Sequence, residues 1–302
     1  MTDGRDPKLE AMAEALEASG DYRVLRRFRP GPERVLEESP SSAVALILDF
    51  ETTGLDPAID RIIQLALVPF RYARETGEIL GIAAPVVYFE DPGRPLPAEI
   101  VRLTGITDDD VRGQRIDDAV VATVAGGAAL VIAHNASFDR PFAERRLPLF
   151  RDRHWACSQR EIPWKMRGLG SASLEFLLMK HCGLFHAGHR ADHDCLALLH
   201  LLGTPFESGE TPFRLLLASA RQKSYRIWAI GSPIARKDEL KSRGYRFNNG
   251  KDGRPLSWYR DLSAAEEPAE RAWLAATMYD GDAGRFRVDT LDSKTRYSDR
   301  AD

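Results

Sequence analysis

The feature that most constrains this chain is AVALILDF, residues 43–50, an apolar run unbroken until Asp49. It has strand length and no polar alternation, the pattern of a strand buried on both faces. RIIQLALVPF (61–70) and ILGIAAPVVYF (79–89) follow, with the turn-like ETG between them. Three successive strands predict a meander, antiparallel where the strands adjoin.

Beyond the loop DPGRPLP (91–97) the periodicity changes. PAEIVRLTG begins a helix with Pro97 near its first turn, and DDAVVATVAGG (117–127) reads as a second helix ended by glycines. ALVIAHN (129–135) is another buried strand, and SFDRPFAERR opens a helix with Ser137 as its expected N-cap. Residues 172–182 and 191–202 predict two further helices divided by the turn GLFHAGH. Strands first, then strands alternating with helices, give an α/β domain with a mixed sheet over residues 43–203. Residues 1–42 read as a helical extension (Leu9, Met12, Leu16) and a linker, and residues 213–302 as a separate accessory module.

The chain carries 42 basic against 45 acidic side chains, a formal charge of −3. A nucleic-acid partner therefore has to be drawn by a local patch or through metal ions. No apolar run approaches the ~20 residues of a membrane-spanning helix. The polar start MTDGRDPKLEAM lacks a signal-peptide pattern, and Cys157, Cys182 and Cys195 are too few for a disulfide framework. Both observations predict a cytoplasmic protein.

Three short signals carry chemistry. Asp49 and Glu51 flank Phe50 at the end of the first strand and project to the same side. Paired carboxylates repel there unless a hard divalent cation such as Mg²⁺ or Mn²⁺ takes oxygen ligands from both; taken alone, the pair also fits a plain loop entry. The second signal, His134-Asn135-Ala136-Ser137-Phe138-Asp139, follows a strand and places Asp139 in the first turn of a helix. A helix dipole alone also explains an acid at that position. The third is His189-Arg190-Ala191-Asp192-His193-Asp194, where His189 precedes the helix and loop geometry can bring it to Asp194. Asp192 and His193 point elsewhere on the helical wheel and read as solvent-facing.

In combination, D-x-E, then N-x3-D, then H-x4-D, with LDFETTGLD (48–56), LTGIT (103–107) and AHNASFD (133–139), resembles the DEDDh, or DnaQ-like, family of 3'–5' exonucleases. The proofreading epsilon subunit of bacterial DNA polymerase III belongs to that family. The resemblance covers roughly residues 43–203 and implies a ribonuclease H-like mixed sheet flanked by helices. It further implies that Asp49, Glu51, Asp139 and Asp194 bind two Mg²⁺ (or Mn²⁺), with His189 as the general base. By the same resemblance Thr52 and Thr53 would hold the terminal nucleotide, Leu55 and Ile106 would meet the last bases, and Asn135 would contact a phosphate. Apolar loop residues such as Leu55 and Ile106 equally often plug a core edge. The implied partner is a single-stranded 3' end, DNA favoured over RNA, with a polymerase or repair protein as a further partner and a homodimer compatible with the family. A binding or scaffold protein that has lost catalysis is the rival class, and the five filled catalytic positions disfavour it.

Two segments need separate weighing. Gln64–Phe70 looks like a sliding-clamp-binding peptide but falls inside the second predicted strand, which favours core. Residues 214–260 hold twelve basic against three acidic residues, interleaved with Tyr225, Trp228, Tyr245, Phe247, Trp258 and Tyr259. Basic groups among aromatics suit single-stranded nucleic acid. A small folded module with Trp228, Phe247 and Trp258 as its core explains the same pattern. The last forty residues, with Trp273 and Tyr279, predict a helix packed on that module.

Overall fold

The computed structural model describes residues 5–33, 38–186, 188–250 and 253–299. The chain divides into two compact units, residues 1–217 and 218–302.

The first unit begins with α1 (Pro7–Ala18) and β1 (Arg26–Arg27). The run 43–50 lies within β2 (Ser42–Thr52), followed by β3 (Ile62–Ala73), β4 (Ile79–Ile82) and β5 (Val86–Phe89). Next come α2 (Ala98–Thr104), α3 (Asp108–Val111), α4 (Asp118–Gly126), β6 (Leu130–Ala133), α5 (Ala136–Arg146), β7 (Trp155–Cys157) and α6 (Ser158–Glu161). The unit closes with α7 (Leu174–Leu177), β8 (Leu184–Phe185) and α8 (Ala191–Gly203), before α9 (Pro212–Ala220).

The main sheet runs β4-β3-β2-β6-β7, with β5 also paired to β3. β2 is central, antiparallel to β3 and parallel to β6, so the sheet is mixed. Its Ala45, Leu46, Ile47 and Leu48 are wholly buried, as expected of a strand covered on both faces. Each such branched side chain stabilises the fold by roughly 1.5–3 kcal/mol. α8 lies against β2 and β3, which carries its N-terminal turn to the end of β2.

Three local expectations are corrected. Residues 79–89 form two strands rather than one: both pair with β3, and the break at Ala83–Pro85 falls where a proline cannot donate to the ladder. Helix α5 starts at Ala136, so Ser137 lies inside its first turn and Asn135 takes the N-cap position, without a side-chain cap. The helix expected over 172–182 is one α turn that widens into a π turn over Leu178–Cys182 and stops at Gly183, whose φ is 67°. Gln64–Phe70 lies within β3 and is paired on both sides, so this stretch is core strand.

The second unit contains β9 (Ser224–Ala229), α10 (Lys237–Ser242), β10 (Arg246–Asn248), β11 (Ser257–Ser263), α11 (Glu267–Met278) and β12 (Arg287–Leu291). Its antiparallel sheet runs β10-β11-β9-β12. Ile227, Ala229, Leu262 and Val288 pack on Leu274, Ala275 and Met278 of α11, the helix predicted near the carboxy terminus. Strand β12 lay unread within that segment. Trp258 packs against this core, but Trp228 alternates to the other face, buried there with its indole N–H on Asp289 (2.6 Å). Phe247, on the edge strand, is 56% exposed and outside the core. Four of the basic residues of 214–260 are paired by acids just beyond the segment: Asp261 pairs Arg226 and Arg246, and Glu270 pairs Arg243 and Arg260. Among the described residues, no helix is long and apolar enough to cross a membrane.

Candidate active site

Strand β2 delivers Asp49 and Glu51 to one end of the sheet, and the pairing register shifts just after, between Glu51 and Thr52. That irregularity starts the turn 52–61, where Thr53 N donates to Arg61 O (2.9 Å) and Thr53 Oγ1 donates to Asp60 Oδ1 (3.0 Å). Thr53 Oγ1 also accepts from Arg61 N (3.0 Å) and Arg94 Nη2 (2.8 Å). Thr52 Oγ1 donates to Gly54 O at 2.6 Å. Gly54 is required by close approach: a Cβ there would lie 2.6 Å from Asp60 Cγ.

One ligand atom each from Asp49, Glu51 and Asp194 lies within 4.8 Å of the others. Asp194 comes from the first turn of α8 and Asp139 from that of α5. Asp139 is 2% exposed, and its Oδ1 is buried without a hydrogen-bond partner. Burial pushes the Asp139 carboxyl up to about 8. Burial does the same to Glu51, also about 8, with the charges of Asp194 and Asp139 adding to it. Asp49 is raised well above the carboxylate range, by burial first and then by Asp139, Asp194 and Glu51.

Arg190 offsets the charge of Glu51 only in part, and carboxylates crowded and buried this way are costly to leave ionised. Crowded oxygen donors and an orphaned carboxylate oxygen fit a hard divalent cation, so the acidic cluster can bind metal. Thiols do not compete: Cys195, beside the cluster, is buried with its Sγ 3.8 Å from Ala66 O, and burial raises its pKa.

The histidines divide differently from the reading of the sequence. His189 donates its backbone N–H to Asp194 Oδ2 (2.9 Å), its φ is 67°, and it is solvent-exposed. The imidazole that touches Asp194 is that of His186, with Nε2 2.7 Å from Oδ1. H-x4-D spacing selected His189, and His186, eight positions before Asp194, lay outside that pattern. Gln64 was also missed: it is wholly buried, its Oε1 accepts from Ala191 N (3.2 Å), and it ties the start of α8 to the strand register opposite Glu51. The only sequence signal was a polar residue inside an apolar strand. His193 is exposed, as expected. His134 is structural: its ring bridges Ser158 Oγ (2.9 Å) and Ala172 O (2.8 Å), and burial lowers its pKa to about 4.

Of the residues expected to meet substrate, Leu55 is 83% exposed and Asn135 is exposed. Ile106 is 1% exposed and packed with Ile63, Leu96 and Val111, so it presents no surface to a base.

A mixed sheet flanked by helices, with a carboxylate cluster at the end of its central strand, defines an α/β protein with an acidic site able to bind metal. More particularly, the chain belongs to the DnaQ-like exonuclease family: the family model described as exonuclease matches residues 46–202. It is 42% identical over 102 residues to the PolC-type DNA polymerase III of Listeria welshimeri, covering 33% of this chain and 7% of that one. With the Bacillus subtilis polymerase of the same type it shares 40% over 116 residues, 36% of this chain and 7% of the other. The chain thus spans a small part of these polymerases. Among solved structures it is similar to exonuclease X in complex with 5' overhanging duplex DNA, at 23% identity and TM-score 0.38, covering 58% of this chain and 90% of that one. A zinc-bound complex of Escherichia coli exonuclease I with single-stranded DNA gives 17% identity, TM-score 0.46, and coverage of 73% and 63%.

Proposed function

We propose that the protein removes nucleotides stepwise from the 3' end of nucleic acid, DNA in preference to RNA. In this reading Asp49, Glu51, Asp139 and Asp194 hold two divalent ions, Mg²⁺ or Mn²⁺. The observation that carries the proposal is the convergence of Asp49, Glu51 and Asp194 within 4.8 Å, beside the unpartnered Oδ1 of Asp139. When bound, such ions lower the pKa of water and offset charge on the phosphodiester oxygens.

The remaining work falls to the chain. The exposed His189 ring accepts the proton of the attacking water, a role that suits an imidazole near neutral pH. Its backbone is fixed by the bond to Asp194 and by a left-handed conformation uncommon for a side chain with a Cβ. Thr52 offers its backbone near the terminal sugar. Thr53 acts through the loop it closes, because its hydroxyl is already committed to Asp60, Arg61 and Arg94. Leu55 projects from that loop and meets the terminal base, and Asn135 faces the phosphate. A polymerase or repair protein is the proposed partner class, a homodimer is compatible with the family, and the proposed compartment is the cytoplasm.

The test uses 5'-labelled single-stranded DNA, duplex DNA and RNA with Mg²⁺ or Mn²⁺. A ladder of progressively shorter labelled products, strongest with DNA, is expected. Release of a labelled mononucleotide as the first product, or preference for RNA, overturns the corresponding part.

A further inference from the structure

Both oxygens of Asp194 are already in use. Oδ2 accepts from the backbone N–H of His189 at 2.9 Å, and Oδ1 faces His186 Nε2 at 2.7 Å. The His186 side chain is 6% exposed and that of Asp194 15%, so the imidazole–carboxylate bond is largely shielded from bulk water. A carboxylate oxygen only accepts, so Nε2 carries the proton of this bond. The other ring nitrogen, Nδ1, is buried without a partner. Nothing else among the described contacts of His186 accounts for an imidazole at this position, and a buried orphan nitrogen costs stability that a packing role alone does not return.

The bond also has a directional consequence. Asp194 sits in the first turn of α8, where its χ angles are otherwise free to swing toward solvent, as the neighbouring His193 does; Asp192, expected to face solvent, is instead half-buried with its Oδ1 unpartnered. With Oδ1 tied to His186 and Oδ2 tied to the loop backbone, the carboxylate plane is fixed against Asp49 and Glu51. Each oxygen keeps a second lone pair, so both bonds leave positions open to a cation. Imidazole–carboxylate bonds behind a metal ligand set ligand orientation and basicity, and losing one typically lowers metal affinity 10–100-fold.

We infer that His186 is a positioning residue: its Nε2–H holds Asp194 in the orientation that binds divalent metal, while His189 is left free for substrate. The inference rests on the reading of Asp49, Glu51, Asp139 and Asp194 as the metal site. It predicts that His186 acts on metal affinity, and that the proton-transfer step at saturating metal belongs to another group.

The test measures Mn²⁺ binding by the electron paramagnetic resonance signal of the free ion, in wild type, His186→Ala and His186→Gln, with thermal unfolding of each as a control on folding. His186→Ala is expected to weaken Mn²⁺ binding about 10–100-fold. His186→Gln, whose amide places a donor near the position of Nε2, is expected to recover most of that loss. Turnover of His186→Ala at saturating Mn²⁺ should return close to wild type with an unchanged pH profile. Unchanged Mn²⁺ affinity in His186→Ala, or no recovery in a folded His186→Gln, overturns the inference. So does turnover that stays lost at saturating Mn²⁺ together with an altered pH profile, which would make His186 the proton acceptor. If wild type itself binds no Mn²⁺, the reading of the site fails instead, so the two failures are distinguishable.

Discussion

Replacing Asp139 by asparagine isolates the electrostatic cost of the site. The side chain is 2% exposed, one of its oxygens has no partner, and its pKa is pushed up to about 8 by burial. A folded-state pKa above the unfolded value near 4 means the folded form binds more protons between those limits. Without metal, stability contributed by this group is therefore fully present below about pH 4. It falls as pH rises toward 8 and is flat above. About four pKa units at 1.36 kcal/mol each set a ceiling of ~5–6 kcal/mol; relaxation and water entry reduce this to ~2 kcal/mol. Asparagine keeps the shape and removes the charge. In EDTA at pH 8.5, Asp139→Asn should therefore unfold ~4–8 °C above wild type, and at pH 4 the difference should largely vanish. With Mn²⁺ at a hundredfold excess over its Kd the order reverses, because wild type gains ~2.7 kcal/mol by binding and the variant gains little. Differential scanning calorimetry at both pH values, with EDTA and with Mn²⁺, reads all four numbers. If Asp139→Asn is less stable than wild type in EDTA at pH 8.5, the carboxylate is satisfied without a cation and the reasoning fails.

Three further outcomes follow from the geometry. His189→Ala should nearly abolish hydrolysis while leaving substrate affinity within a few-fold, read by single-turnover kinetics against equilibrium binding; equal losses in both would count against a proton-transfer role. Gly54→Ala should cost ~1–3 kcal/mol in thermal unfolding and lower turnover, since the added methyl displaces the Asp60 carboxylate that Thr53 holds, and an unperturbed Tm would mean the loop yields freely. Phe28→Ala should speed amide exchange at residues 183–186, because the Phe28 ring packs tilted against His200 (5.5 Å) and anchors the segment whose backbone N–H at Phe28 donates to Phe185 O (2.7 Å) just ahead of the histidine loop. Unchanged exchange there would leave the amino-terminal segment without influence on the site.

The sequence made the central strand and the three acidic motifs legible because each depends on local pattern: an unbroken apolar run, carboxylates two apart on a strand, acids in first helical turns. His186 was not legible, since its bond to Asp194 depends on how the loop before α8 folds back, which no spacing rule encodes. Ile106 was left open between substrate and core for the opposite reason. The LTGIT segment matches a family motif, but whether its isoleucine faces substrate or core depends on Ile63, Leu96 and Val111 arriving from distant elements. The basic character of 214–260 was real as composition, yet Asp261 and Glu270 fold back onto it across the strand and helix that follow. Trp228 and Trp258 both read as core, and strand alternation alone sends them to opposite faces of the sheet.

The most direct test of the central claim is release of a 3'-terminal label from single-stranded DNA by wild type and Asp49→Ala, with Mg²⁺ or Mn²⁺ and with EDTA. Label released as a mononucleotide by wild type with metal, and absent both in EDTA and in the folded variant, is the predicted result. Undiminished release by Asp49→Ala, or by wild type in EDTA, would contradict the account.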